Sequence, residues 1–257
     1  MPENLTPEQK TPEQGTNTKK SIVEAAYPEI TKAIDAITSK TNIRAKEKIG
    51  HVKGAVFEHL AIQERIAQNP ETETQRELRQ IFETLMHNAG VALGVQKALS
   101  NPDGISVIFD KHNRPIVDEI HEMKASAIAY AINIDDNQPQ KTLRTIQRLV
   151  NLVNSLAEEA DIDNLQPSEK ISNKLVKKRR RLLTETKQRI MALNLKEKFS
   201  LSPHLKYMII IPKGEVITNL GRKISLKDGT PVEMVVVNSI FSIEDIHKLI
   251  DQYAETT

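Results

Sequence analysis

The sequence predicts an α/β fold, a mixed sheet of four or five strands flanked by helices, and three features carry that expectation. Two β-type runs flank a polar turn at Lys111 to Arg114, the pattern of an antiparallel hairpin. Two later runs, Lys206 to Pro212 and Val232 to Asn238, are continuous in β-branched and apolar residues, as strands buried on both faces are. Amphipathic helical patterns precede the hairpin and separate it from these runs, and strands alternating with helices define the class. A chain of 257 residues can bury one sizeable core. We expect a single domain over 21–257, with 1–20 as a disordered tail and about 126–203 as a long helical insertion.

Composition narrows the function classes. The chain carries 36 Lys and Arg against 34 Asp and Glu, a net charge of +2, so a nucleic-acid surface must come from local segregation of charge. Cys is absent, which removes disulfides and Cys-based zinc sites and fits a reducing compartment. No apolar run approaches a membrane span or a signal-peptide core, so a soluble cytoplasmic protein is expected. Aromatic residues make up 4% and Trp is absent, which argues against a base-stacking platform of the single-strand-binding type. No Gly-x-Ser-x-Gly elbow, Walker loop or Gly-rich dinucleotide turn occurs, which disfavours an acyl or glycosyl transferase.

The tail repeats Thr-Pro-Glu-Gln at Thr6 and Thr11 and holds almost nothing to bury. A first helix is expected from Ser21 to about Ser39, where Ile22, Ala25, Ile30, Ile34 and Ile37 form an apolar stripe broken at Pro28. From Gly54 a second helix turns Val56, Phe57, Leu60 and Ala61 inward, with Glu58 beside that stripe and Glu64 expected in solvent. Pro70 ends it. A third helix follows from about Thr74 to Asn88, with Leu78, Ile81, Phe82 and Leu85 at core spacing. Residues 89–99 read equally as helix or strand.

The hairpin comes next. With its turn centred between His112 and Asn113, residue i pairs with 225 − i, and Asp103 falls opposite Glu122. Alternation then sends Asp103, Glu122 and Lys124 to one face, where opposed Cβ atoms lie roughly 4.5–5.5 Å apart. A slip of two residues pairs Asp103 with Lys124 and keeps the trio together. Two carboxylates at that spacing can share a divalent cation. The other face would carry Glu119 and His121 among Ile108, Val117 and Met123, either partly exposed or serving the site or a partner. His121 should point away from Asp103.

Pro102-Asp103, followed after a hairpin by Glu122-Met123-Lys124, resembles the signature of the PD-(D/E)XK phosphodiesterase superfamily, with its restriction-endonuclease-like core. The acid opens one strand, Glu-x-Lys ends the next, and small residues (Ala125, Ser126, Ala127) follow; the resemblance covers about Gly50 to Ser126. It implies a metal-dependent nuclease, acting on DNA by analogy. Asp103, Glu122, the Met123 carbonyl and Glu58 would hold Mg²⁺ or Mn²⁺, and Lys124 would stabilise charge in the transition state. Each residue also has an ordinary reading. Asp after Asn-Pro suits a turn, Glu and Lys two apart suit a solvated face, and Glu58 suits a core boundary.

Beyond Ser126 the pattern is mainly helical. Thr142 to Leu156 is amphipathic, and Gln147 on it is a further candidate polar residue for the site. A long helix is expected from about Ser168 to Leu195, and between Glu169 and Lys198 stand 11 Lys or Arg against 3 Glu, a local net of +8. Its Lys174, Lys177, Lys178, Arg180 and Arg181 are candidate nucleic-acid contacts, although such a run also suits a plain solvated helix. Lys227-Asp-Gly-Thr signals a hairpin turn before the last strand, and Ser242-Ile-Glu-Asp caps a final helix. The leading expectation is a Mg²⁺-dependent nuclease, with a homodimer or an accessory subunit allowed. Its competitors are a catalytically inactive nucleic-acid-binding or assembly scaffold of the same fold and, more weakly, a helical adaptor that contacts protein through 126–203.

Overall fold

The computed structural model describes residues 12–40, 45–95, 99–125, 132–133, 137–158, 161–195, 197–219 and 223–256. The strands among the described residues are β1 (Gly104–Phe109), β2 (Pro115–Met123), β3 (Ile132–Asn133), β4 (Ser200–Lys213), β5 (Ile217–Asn219), β6 (Ile224–Ser225) and β7 (Pro231–Ser242). Five of them form one mixed sheet in the order β1-β2-β4-β7-β6, antiparallel at both margins and parallel through β2, β4 and β7. The fold is therefore α/β, and β3 and β5 pair separately.

Helices cover both faces. The first three are α1 (Pro12–Thr38), α2 (Ala45–Gln68) and α3 (Glu73–His87). Short α4 (Ala89–Leu93), then α5 (Gln138–Ala157), α6 (Asn173–Ala192) and α7 (Ile243–Thr256) complete the set. Strand alternation divides the core in two. Leu205, Tyr207, Ile209 and Ile211 of β4 enter one core with residues of α3 to α6, while Met208 and Ile210 enter a second with residues of α1, α2 and α7.

Several sequence expectations shift. Residues 12–20, expected in the tail, belong to α1, where Lys19 reaches Asp245 at 2.7 Å; residues 1–11 lie outside the described set. Helix α1 continues through Pro28, and its buried stripe uses Ala26 in place of Ala25. Helix α2 begins at Ala45, before Gly54. Glu64, expected in solvent, is 4% exposed: its carboxylate accepts from Ser239 Oγ at 2.5 Å and from the Ile240 N–H, which ties α2 to β7. Of the ambiguous segment 89–99, Ala89–Leu93 is helical as α4 and residues 96–98 lie outside the described set; α4 ends at Gly94, whose φ of 62° and close approach to Pro167 leave no room for a Cβ.

Helix α3 has its start written locally, as a capping box between Thr72 and Gln75. Helix α6 starts at an N-cap on Ser172, four residues after the Ser168 expected from the sequence. The segment read as an insertion is in part core. Adjacent parallel strands need a crossover, and α5 lies within the one from β2 to β4, burying Leu143, Ile146, Leu149, Val153 and Leu156. Double-sided burial holds for the middle of β4 but not for β7, whose Met234 to Val237 are half-buried beside the two-residue β6. The turn signal at Lys227 to Thr230 closes the β6–β7 hairpin, and Ser242 with Asp245 caps α7.

The β1–β2 hairpin positions the candidate site. Near its turn Phe109 pairs with Pro115 and Val107 with Val117, one residue off the expected register. A bulge at Asp118 absorbs that residue, so Ser106 pairs with Glu119 and Gly104 with His121, as expected. Val117 and Ile120, three apart in sequence, consequently enter the same core. Unbroken alternation would have put Val117 on the opposite face, with Glu119.

Candidate active site

The Asp103 N–H donates to the His121 carbonyl at 2.9 Å, which carries the β1–β2 ladder one step past β1 and holds Asp103 across from Glu122. Asp103 Oδ2 in turn accepts the Met123 N–H at 2.7 Å. The Lys124 N–H donates to the Ile210 carbonyl at 2.9 Å, continuing the β2–β4 ladder past the strand end. Two ladders thus fix the backbone of all three residues.

Glu122 is 3% exposed and fully engaged. Its Oε1 accepts from Lys124 Nζ at 2.5 Å and from Gln138 Nε2 at 2.6 Å, and its Oε2 accepts from the Tyr207 hydroxyl at 3.1 Å. Gln138 stands in the first turn of α5, so that helix contributes a polar residue here, but through Gln138 and not Gln147. Neither Gln138 nor Tyr207 carries a local motif. A lone hydroxyl inside the apolar run of β4 was the available signal for Tyr207.

Asp103 and Glu58 complete the corner. Burial, then the charges of Glu122 and Glu58, push Asp103 up to about 8, against the opposing pull of the Met123 N–H and Lys124. Burial and the Glu122 charge raise Glu58 as well. Glu58 and Asp103 both line an open cleft of about 720 Å³ bounded by residues of α1, α2, α3 and the entry to β1.

The opposite face of the hairpin is neither exposed nor aimed at the trio. His121 is 4% exposed, and its Nε2 lies 3.0 Å from Glu119 Oε2 and 3.3 Å from Ser106 Oγ. Arg65 Nη2 donates to the same Glu119 oxygen at 2.6 Å. Burial works against the Glu119 charge, yet His121 and Arg65 together hold it down to about 2. Burial lowers His121 against the pull of Glu119. Arg65 Nη2, His121 and Glu119 pair with one another, while Arg65 Nε is buried without a partner, and nothing in the sequence around Arg65 signals its part in the network.

The basic run divides. Arg179 is buried and structural, donating to the carbonyls of Ala92 and Leu165 at 3.0 and 2.6 Å. Lys174, Lys177, Lys178, Arg180 and Arg181 are exposed on α6, with Arg180 paired to Asp163 and Arg181 to Glu185.

The donor set around Asp103 is all hard oxygen, and beyond burial the charges of Glu122 and Glu58 raise the proton affinity of Asp103, the chemistry a Mg²⁺ or Mn²⁺ ion suits. Among the described residues no three acidic or imidazole groups converge into a ready-made cage, so an ion would have to draw Glu58, Asp103 and Glu122 together. No helix among the described residues is long and apolar enough to cross a membrane. Comparison of the chain with protein-family models, with curated proteins and with solved structures found no match.

Proposed function

We propose that the chain is a Mg²⁺-dependent phosphodiesterase acting on nucleic acid, with DNA as the first substrate to test. One observation carries this reading: three carboxylates, Asp103, Glu122 and Glu58, bear on one another at an open strand end with a single lysine among them. Acids such as Asp103 and Glu58, whose proton affinity burial and a neighbouring carboxylate raise beside a cleft, are candidates for a site that takes up a cation or substrate.

In this reading Asp103, Glu122, the Met123 carbonyl and Glu58 would hold the ion, which when bound would supply Lewis-acid polarisation of the phosphate and a more acidic water. Asp103 would have to give up its proton for an ion to bind, so ion affinity should rise with pH up to about 8. Lys124 then leaves Glu122 and places its ammonium beside the phosphate, where charge builds in the transition state. Gln138 and Tyr207 keep the Glu122 carboxylate oriented. Lys174, Lys177, Lys178, Arg180 and Arg181 attract phosphates away from the reacting centre. Replacing Lys177, Lys178, Arg180 and Arg181 with Gln should weaken binding to all sequences alike, flattening the log K against log salt slope by about 0.9 for each duplex phosphate no longer neutralised.

The deciding experiment incubates wild type and Asp103→Asn with plasmid, linear duplex, single-stranded DNA and RNA, in Mg²⁺ and in EDTA. Cleavage by wild type alone, and only in Mg²⁺, is the expected result; equal cutting by Asp103→Asn sinks the assignment. A second reading, a nucleic-acid-binding or assembly scaffold without chemistry, draws on the full engagement of Glu122 by Lys124, Gln138 and Tyr207. Binding of DNA with no Mg²⁺ uptake by calorimetry would favour it.

A further inference from the structure

The cleft beside Asp103 has a chemistry unlike that of a phosphate channel. Its walls carry four carboxylates, Glu29, Glu58, Glu83 and Asp103, against one guanidinium, Arg79. That guanidinium is already committed, to Glu71 at 2.8 Å and to Glu83 at 2.6 Å. A nucleic-acid backbone needs spare Lys or Arg along its path, and this wall offers none. What it offers instead is directional: the amides of Gln63, Gln80 and Asn101 and the imidazoles of His59 and His87, with apolar Ile62, Ile66 and Met86.

Asn101 adds a pointer to the ligand. Its Oδ1 is buried and finds no donor among the described residues. An orphaned acceptor is costly, and a phosphate, which only accepts, cannot satisfy it. A ring N–H or an exocyclic amine can. We propose that this cleft receives an unpaired nucleobase next to the scissile phosphate, so that the substrate is single-stranded, frayed or locally opened nucleic acid. The cleft depends on the phosphodiesterase reading for its scissile phosphate, but its binding test stands apart from that reading. The base edge meets the amide and imidazole groups, and its faces pack on Ile62, Ile66 and Met86, as in sites that read an extruded base with apolar walls.

The test uses the full chain with Ca²⁺ in place of Mg²⁺ and three labelled oligomers of equal length: single-stranded DNA, the same sugar-phosphate chain without bases, and a blunt duplex. Fluorescence anisotropy should show the single strand binding about tenfold or more tightly than the abasic chain, the scale of one or two hydrogen bonds made at the base edge. The double substitution Gln63→Ala with Gln80→Ala, which changes no charge, should narrow that gap and leave abasic binding unchanged. Equal affinity for the abasic chain, or for the blunt duplex, overturns the inference. Cleavage in Mg²⁺ separates it from the reading beneath it. Base-dependent binding with no cleavage of any substrate removes the phosphodiesterase and keeps the nucleobase cleft; cutting of intact duplex as fast as single strand does the reverse.

Discussion

The two faces of the β1–β2 hairpin carry nearly the same ingredients and treat them in opposite ways. On one, Asp103 and Glu122 meet Lys124, and Asp103 is pushed up to about 8. On the other, Glu119 meets Arg65 and His121 and is held down to about 2. Burial opposes the charge in both places, so it does not distinguish them. The count of partners does. Glu119 has a guanidinium and an imidazole to itself, whereas Asp103, Glu122 and Glu58 divide one ammonium, and Lys124 sits on Glu122. A balanced network contributes rigidity, and an unbalanced one stores the electrostatic demand that a cation could meet.

Substitutions should separate the faces most sharply in activity. Asp103→Asn, Glu122→Gln and Lys124→Ala should each lower kcat by about 10³-fold or more while circular dichroism stays native. Arg65→Met should do the converse. It leaves Glu119 buried without its strongest partner and should cost about 3 kcal/mol of stability by urea titration. Joint replacement of Arg65 and Glu119 by apolar residues should recover much of that loss, and failure to recover would mean the network does more than balance charge.

Smaller effects sharpen the contrast. Glu58→Gln should weaken Mg²⁺ binding about tenfold, read by calorimetry, with a lesser loss of kcat. An unchanged titration would return Glu58 to an ordinary core-boundary role. The smallest effect lies in pH. Because Asp103 is raised in the folded chain, it favours folding least when ionised, and its contribution falls as pH rises from near 3.8 to about 8. Without metal, Asp103→Asn should therefore add about 1–2 kcal/mol at pH 8, a gain that vanishes near pH 4. Glu119 runs the other way. Its stabilisation is complete above about 4.5 and is lost only as pH falls towards 2. A gain from Asp103→Asn that persists undiminished at pH 4 would contradict the account of that corner.

The trio is legible in the sequence because it is local to one hairpin, although the turn alone, one residue off the expected register, would set Asp103 opposite His121, and it is the bulge at Asp118 that restores Glu122 to that place. Gln138, Tyr207 and Arg65 are not legible. Each reaches the hairpin from another element, and no spacing rule relates residue 138 or 207 to residue 122. Glu64 defeats sequence reading for a related reason, since periodicity sees the helix position but not the Ser239 hydroxyl and Ile240 N–H that await it on β7. The extent of α1 is hidden because Pro28 lies on its exposed side, where the absent N–H is tolerated. The bulge does leave a trace: apolar positions switch from odd at Pro115 and Val117 to even at Ile120, breaking the period of two.

That bulge gives the hairpin mechanical slack. The phase of the carboxylates is referred to buried Val117 and Ile120, not to the turn, and Asp118 is where surplus chain is stored. A residue gained or removed between Phe109 and Asp118 can be taken up there without disturbing the far end. A deletion between Ile120 and Glu122 has no such buffer: it swings Glu122 to the side of Arg65 and delivers an acid to a network already in balance. Length polymorphism in this hairpin should thus be cheap on one side of Ile120 and ruinous on the other.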